Sequence, residues 1–176
     1  MKENPISARS KAWLEKSLLD LMKDNPYDSI SITEICKNSD LTRPTFYQHF
    51  SSKDEVIVVY LDTLFDEFYN ELKNNEVSSL YELALLFFEF WKVYHSFITL
   101  LEKNNLFDLL GKQFIKYLDI LFETIQLEPK AIPVNQRVYA NAFISGGLIG
   151  LLRRWIDNGC KEDASQLASF VEILFN

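Results

Sequence analysis

Residues 31–53 constrain the fold more than any other stretch. They read Ser-Ile-Thr-Glu-Ile-Cys-Lys-Asn-Ser-Asp-Leu-Thr-Arg-Pro-Thr-Phe-Tyr-Gln-His-Phe-Ser-Ser-Lys, and the spacing predicts two short helices joined by a tight turn. Ser31 starts the first, with Glu34 three residues on, the pattern of a reciprocal capping box. Asn38, Ser39 and Asp40 form the turn, where Asp tolerates a left-handed backbone better than most non-glycine residues. Thr42 caps the second helix, and Pro44 falls in its first turn, where no backbone N–H is missed. Phe46 and Phe50 are four apart and share a buried face with Leu41 and Ile35. Arg43, Pro44, Thr45, Tyr47, Gln48 and His49 are left facing outward.

A helix fits the major groove of DNA, with its N-terminal residues meeting base edges. The run from Thr42 to Lys53 resembles the recognition-helix motif of the TetR family of transcriptional regulators, whose pattern is roughly Ser/Thr-x-x-Thr-Phe/Leu-Tyr-x-His/Tyr-Phe-x-x-Lys. Where the family usually carries Gly, this chain has Asp40, which predicts a slightly strained turn. Side-chain chemistry divides the outward set. Arg43 and Gln48 suit guanine and adenine edges, and Pro44 suits a thymine methyl. Thr42, Thr45, Tyr47, His49 and Lys53 suit phosphates, which position a helix without reading sequence.

The net charge of -7 argues against nucleic acid at first sight. Its distribution answers the objection. Arg9, Lys11, Lys16, Lys37, Arg43 and Lys53 lie in or beside the N-terminal module, and acids such as Asp62, Asp66, Glu67 and Glu71 follow it. Affinity comes from the phosphates touched, so a local basic surface suffices. Among 176 residues there are only five Gly and five Pro, and no stretch alternates with period two, so the chain reads as all-α. The polar start lacks the apolar core of a secretory signal. The most apolar run, 83–94, is broken by Glu89 and Lys92 and falls short of the ~20 residues a membrane span needs. Two cysteines without Cys-x-x-Cys spacing suggest reduced thiols. The expected location is the cytoplasm, with no membrane partner.

In chain order, a first helix over about 7–23 carries Leu14, Leu18 and Leu21, flanked by Trp13 and Met22, and braces the opening motif into a three-helix head. A long fourth helix begins at Ser52 or Lys53, with Ser52 and Glu55 as a second capping box. It links head to body mechanically. A fifth helix over 79–96 is apolar almost all round, as in the middle of a bundle, and a short sixth covers 97–102. A seventh covers 106–125, and a loop follows at 128–133. Phe87, Phe88, Trp91, Tyr94, His95, Phe114 and Tyr117 are the candidates to line a cavity for a modest apolar or aromatic effector; the competing expectation is a filled core.

The eighth helix, 135–158, carries Gly146, Gly147 and Gly150, and each glycine inside a helix costs roughly 1 kcal/mol relative to alanine. Gly146 and Gly150 share a face that admits another helix closely. Gly159 ends the helix. Asp163 and Gln166 cap a ninth, whose Leu167, Phe170, Val171 and Leu174 follow helical spacing. Two such helices from each of two chains would build a four-helix dimer interface; tight packing inside one chain is the alternative. The run 143–159 is similar to the C-terminal region of a TetR subgroup found with the regulator of dihydroxyacetone kinase genes.

No nucleophile elbow, zinc-ligand spacing or phosphate loop is present, so no catalytic residue, metal or cofactor is expected. The resemblance implies an all-helical homodimer of about nine helices. Residues 1–52 form a helix-turn-helix DNA-binding domain, and 53–176 an effector-binding and dimerisation domain. Its double-stranded operator is expected to be palindromic, and its action that of a repressor released by a small effector. The alternative function is a helical protein–protein interaction module without specific DNA binding.

Overall fold

The computed structural model describes residues 5–75, 77–124 and 133–175, with side chains placed for all but a few of these. Nine α-helices and no strand are found among the described residues. They divide into two compact units, Met1–Thr63 and Leu64–Asn176, with the division inside the fourth helix.

The first unit contains α1 (Pro5–Asp24), a 3-10 turn (Tyr27–Ser29), α2 (Ile32–Asn38), α3 (Arg43–His49) and the beginning of α4 (Lys53–Asn74). Leu14, Leu18 and Met22 of α1 meet Ile35 of α2, Phe46 and Phe50 in a core from which water is excluded. Ser17 is the buried polar exception in α1. Its hydroxyl donates to the Ile35 carbonyl at 2.8 Å and accepts from Asn38 Nδ2 at 3.1 Å, so α1 is tied to the middle and the last residue of α2. Trp13 departs from the expected stripe. It is 43% exposed, and the Arg9 guanidinium lies 4.5 Å from its ring centroid.

The second unit contains the rest of α4 from Leu64, then α5 (Leu80–Val93), α6 (His95–Lys103), α7 (Phe107–Thr124), a 3-10 turn (Val134–Gln136), α8 (Arg137–Asp157) and α9 (Ala164–Phe175). α5 packs most extensively against α9, and α7 against α8. The single helix expected over 79–96 is broken. α5 ends at Val93, and α6 leaves at 71° to it. The bend directs Phe97, Ile98 and Leu101 into the core. Among the described residues no single helix is long and apolar enough to cross a membrane. The loop expected at 128–133 lies outside the described residues except for Pro133.

Candidate nucleic-acid interface

Local bonds set both ends of the two-helix motif. Ser31 Oγ accepts the Glu34 amide at 3.2 Å, while the Glu34 carboxylate accepts the Ser31 amide at 2.8 Å and its hydroxyl at 2.7 Å. These bonds hold the Glu34 carboxyl below its ordinary range. At the far end of α2 the Asp40 amide donates to Lys37 at 3.3 Å and the Leu41 amide to Cys36 at 2.9 Å. That is a Schellman arrangement, and Asp40 occupies its left-handed position with φ 57°. The turn is therefore a helix stop built on an aspartate. Thr42 Oγ1 then accepts the Thr45 amide at 3.3 Å and starts α3.

Phe46 and Phe50 anchor α3, with ring centroids 5.7 Å apart and both side chains buried. Thr42, Arg43, Pro44, Tyr47 and Gln48 are exposed, and Thr45 and His49 half-buried. Arg43 Nη2 donates weakly to the Tyr47 hydroxyl at 3.4 Å, and the guanidinium lies 5.9 Å from that ring. Most of the outward face thus offers donors and acceptors to solvent, on a helix fixed by its aromatic side.

Lys53 has different surroundings from the rest of the outward set. It is half-buried, and its ammonium donates to the carbonyls of Tyr27 at 2.6 Å and Ile30 at 3.0 Å. It also lies 4.3 Å from the Tyr27 ring centroid. Tyr27 itself is buried and donates its hydroxyl to Asp54 Oδ1; burial first, then that bond, pushes its phenol far above the usual range. Neither Tyr27 nor Asp54 stands out in the sequence as a site residue. The available signal was Lys53 itself, since a cation at the first position of a helix opposes the helix dipole. The second capping box is also shifted: Ser52 Oγ accepts the Glu55 amide at 3.1 Å, but the Glu55 carboxylate accepts from Ser51.

In the second unit, Phe87, Phe88, Trp91 and Phe114 are buried, and Tyr94 and Tyr117 half-buried. Phe65 of α4 stacks on Tyr117 at 4.9 Å and meets Trp91 edge-on at 5.3 Å, while Phe87 lies 5.4 Å from Phe114. The rings face one another. The Trp91 indole N–H has no hydrogen-bond partner among the described residues. Tyr117 donates to Asp66 at 3.1 Å and Tyr94 to Glu67 at 2.7 Å, so two of the acids that follow the N-terminal module bond to these rings. His95 stands apart, exposed at the start of α6, with Nδ1 3.0 Å from the Lys92 carbonyl. A depression of about 460 Å³ lies elsewhere, lined by Leu85, Glu89 and Lys92 of α5 and by Asp163 and Ser165.

Gly146, Gly147 and Gly150 are exposed along α8, and a Cβ built on any of them meets nothing within 4 Å among the described residues. Close packing against the described residues is therefore not why they are glycines. Tyr139 and Phe143 extend the same face at 75% and 73% exposure, a pair not singled out by sequence. On α9, Phe170, Ile173 and Leu174 are exposed and Leu167 half-buried. Val171 was expected on this outer face but is 2% exposed. It shares an inner stripe with Ala164 and Ala168, because α9 lies along α5.

The sequence matches two family profiles. One is described as bacterial regulatory proteins, tetR family, over residues 17–59, and the other as a transcriptional regulator C-terminal region, over residues 78–176. DhaS, the HTH-type dhaKLM operon transcriptional activator of Lactococcus lactis subsp. lactis, is 30% identical over 97 residues, which is 52% of this chain and 49% of that protein. The chain spans about half the length, or less, of the curated relatives it matches. The solved structure of a dihydroxyacetone kinase operon activator DhaS has a TM-score of 0.58 at 20% identity, covering 94% of this chain and 93% of that one. The fatty acid degradation regulator FadR from Bacillus halodurans has a TM-score of 0.61 at 18% identity, covering 99% and 96%. At these identities the two structures share the fold.

Proposed function

The chain belongs to the TetR family of bacterial regulatory proteins, and on that premise we propose that it regulates transcription by binding a double-stranded operator through α3. The observation that carries the reading is the exposed set Thr42, Arg43, Pro44, Tyr47 and Gln48, polar but for Pro44, on a helix anchored by buried Phe46 and Phe50. Residues 1–52 read DNA, and 53–176 bind the effector and dimerise. Arg43, Pro44 and Gln48 meet base edges, while Thr42, Thr45, Tyr47 and His49 meet phosphates. The test is binding of the purified protein to duplexes from a randomised pool at low salt. Enrichment of a palindromic site supports the reading. No enrichment favours a protein–protein interaction module instead.

The operator is read by a homodimer. Support comes from the open glycine face of α8 and its exposed neighbours Tyr139, Phe143, Phe170 and Leu174. Paired recognition helices then meet half-sites about 34–36 Å apart, or a multiple of that. The expected action is repression, relieved by a small apolar or aromatic effector among the rings of the second unit. The unpartnered indole N–H of Trp91 favours an effector carrying a hydrogen-bond acceptor. DhaS is named an activator, so transcription from the bound promoter in a purified system decides the sign. A melting shift across a metabolite panel tests for the effector.

A further inference from the structure

We propose that Tyr27, Lys53 and Asp54 form a latch that sets the pose of α3, acting as positioning residues and not as DNA contacts. The proposal rests on α3 being the recognition helix. It begins from a residue in an unfavourable place. Lys53 is the first residue of α4, where the positive end of the helix dipole disfavours a cation. A lysine there needs compensation, and the structure supplies it from one direction. Two carbonyls of the turn before α2, those of Tyr27 and Ile30, accept from its ammonium at 2.6 and 3.0 Å, and the Tyr27 ring lies beneath it at 4.3 Å. The next residue, Asp54, closes the loop by accepting the Tyr27 hydroxyl. Tyr27 is buried, Lys53 half-buried and Asp54 exposed, so the three bonds lie at the edge of the core, and each is strengthened by a charged partner.

The latch matters because of where it sits in the chain. The segment from Tyr27 to Asp54 contains α2, the Asp40 turn and α3 in full. Its two ends are tied together by the latch, and only Phe50, Ser51 and Ser52 separate α3 from α4. A tilt of the first turn of α4 away from the turn before α2 must therefore break the Lys53 or Asp54 bonds, and α3 is carried on that end of α4 by a three-residue link. A base-reading helix needs orientation held within a fraction of an ångström, and hydrogen bonds behind it supply that. Two of the three donors on Lys53 are already committed to carbonyls, which hold its ammonium toward the frame of the head.

The experiment compares the duplex enriched by the wild-type protein with a scrambled duplex of the same length. Affinities are read by fluorescence anisotropy at several salt concentrations, well below the melting temperature of each variant. Tyr27→Phe removes only the hydroxyl and is expected to fold. With Asp54→Ala it should lower the ratio of specific to scrambled affinity by about tenfold, the size of one charge-assisted hydrogen bond. The double variant should lose no more than the larger single loss, because both remove one bond. Lys53→Met should lower the same ratio while leaving the salt slope on scrambled DNA unchanged. A purely structural role would shift melting without moving the ratio in the folded variants. An unchanged ratio in Tyr27→Phe and Asp54→Ala would overturn the latch and leave DNA binding by α3 intact. A fall in salt slope of about 0.9 in Lys53→Met would overturn it too, by making Lys53 a phosphate contact. Failure of the wild type to enrich any duplex would overturn both readings.

Discussion

The Leu41 amide reaches back to the Cys36 carbonyl at 2.9 Å, and to do so the chain carries the intervening Asp40 at φ 57°. The whole turn between α2 and α3 depends on that one backbone conformation. An L-residue pays for it through its Cβ, and a glycine does not.

Asp40→Gly should therefore stabilise the head by roughly 0.5–1 kcal/mol, while a β-branched Asp40→Val should destabilise it by more than that. Thermal melting followed by circular dichroism measures both. A lower melting temperature for Asp40→Gly would mean that the aspartate side chain contributes more than its backbone costs.

The glycines of α8 give a prediction whose sign depends on their surroundings. On an exposed helix face, Gly146→Ala should stabilise the isolated chain by up to roughly 1 kcal/mol. At a close helix–helix contact, Gly146→Leu should weaken association instead. Sedimentation at micromolar concentration is expected to show a dimer for the wild type and a shift toward monomer for Gly146→Leu and Phe143→Ser. A wild-type monomer would remove the four-helix interface from consideration.

Base-edge contacts fail differently from phosphate contacts. Gln48→Ala and Arg43→Ala should each cost about 1–3 kcal/mol and relax the preference at one base pair per half-site. Titration against single-substituted duplexes measures this. If both variants weakened all sequences equally, the docking of α3 described above would be wrong.

Acid should loosen the helix starts first. Glu34 and Glu55 are held below the ordinary carboxyl value of 4.5 by hydrogen bonds from Ser31 and Ser51, and Glu82 by bonds from Ser78. A depressed carboxyl contributes stability that is present above its unfolded value and lost as pH falls through the folded one. Melting temperature should thus be level near neutrality and fall below about pH 4.5. Glu34→Ala should flatten part of that fall. An identical acid profile in the variant would show that this cap contributes nothing measurable.

What the sequence determined by itself is what short-range bonding determines. Ser31 with Glu34, Asp40, Thr42, and Phe46 with Phe50 interact across three or four residues, so spacing alone revealed the helix starts, the stop and the buried side of α3. The all-helical class followed from the same periodicities and from the scarcity of breakers. Tertiary structure decided the rest, because its partners are distant in the chain. Lys53 meets carbonyls 26 and 23 residues away, and Tyr117 finds Asp66 across 51. No local pattern marks the bend at Tyr94, since α5 and α6 are both apolar and only burial of Phe97 and Ile98 sets their directions. Whether Gly146 faced a neighbour or open space, and whether Val171 faced out or in, depended on which side of each helix the core claimed. That side is chosen by the packing of α7 against α8 and of α5 against α9, and glycine or valine at a given spacing is compatible with either.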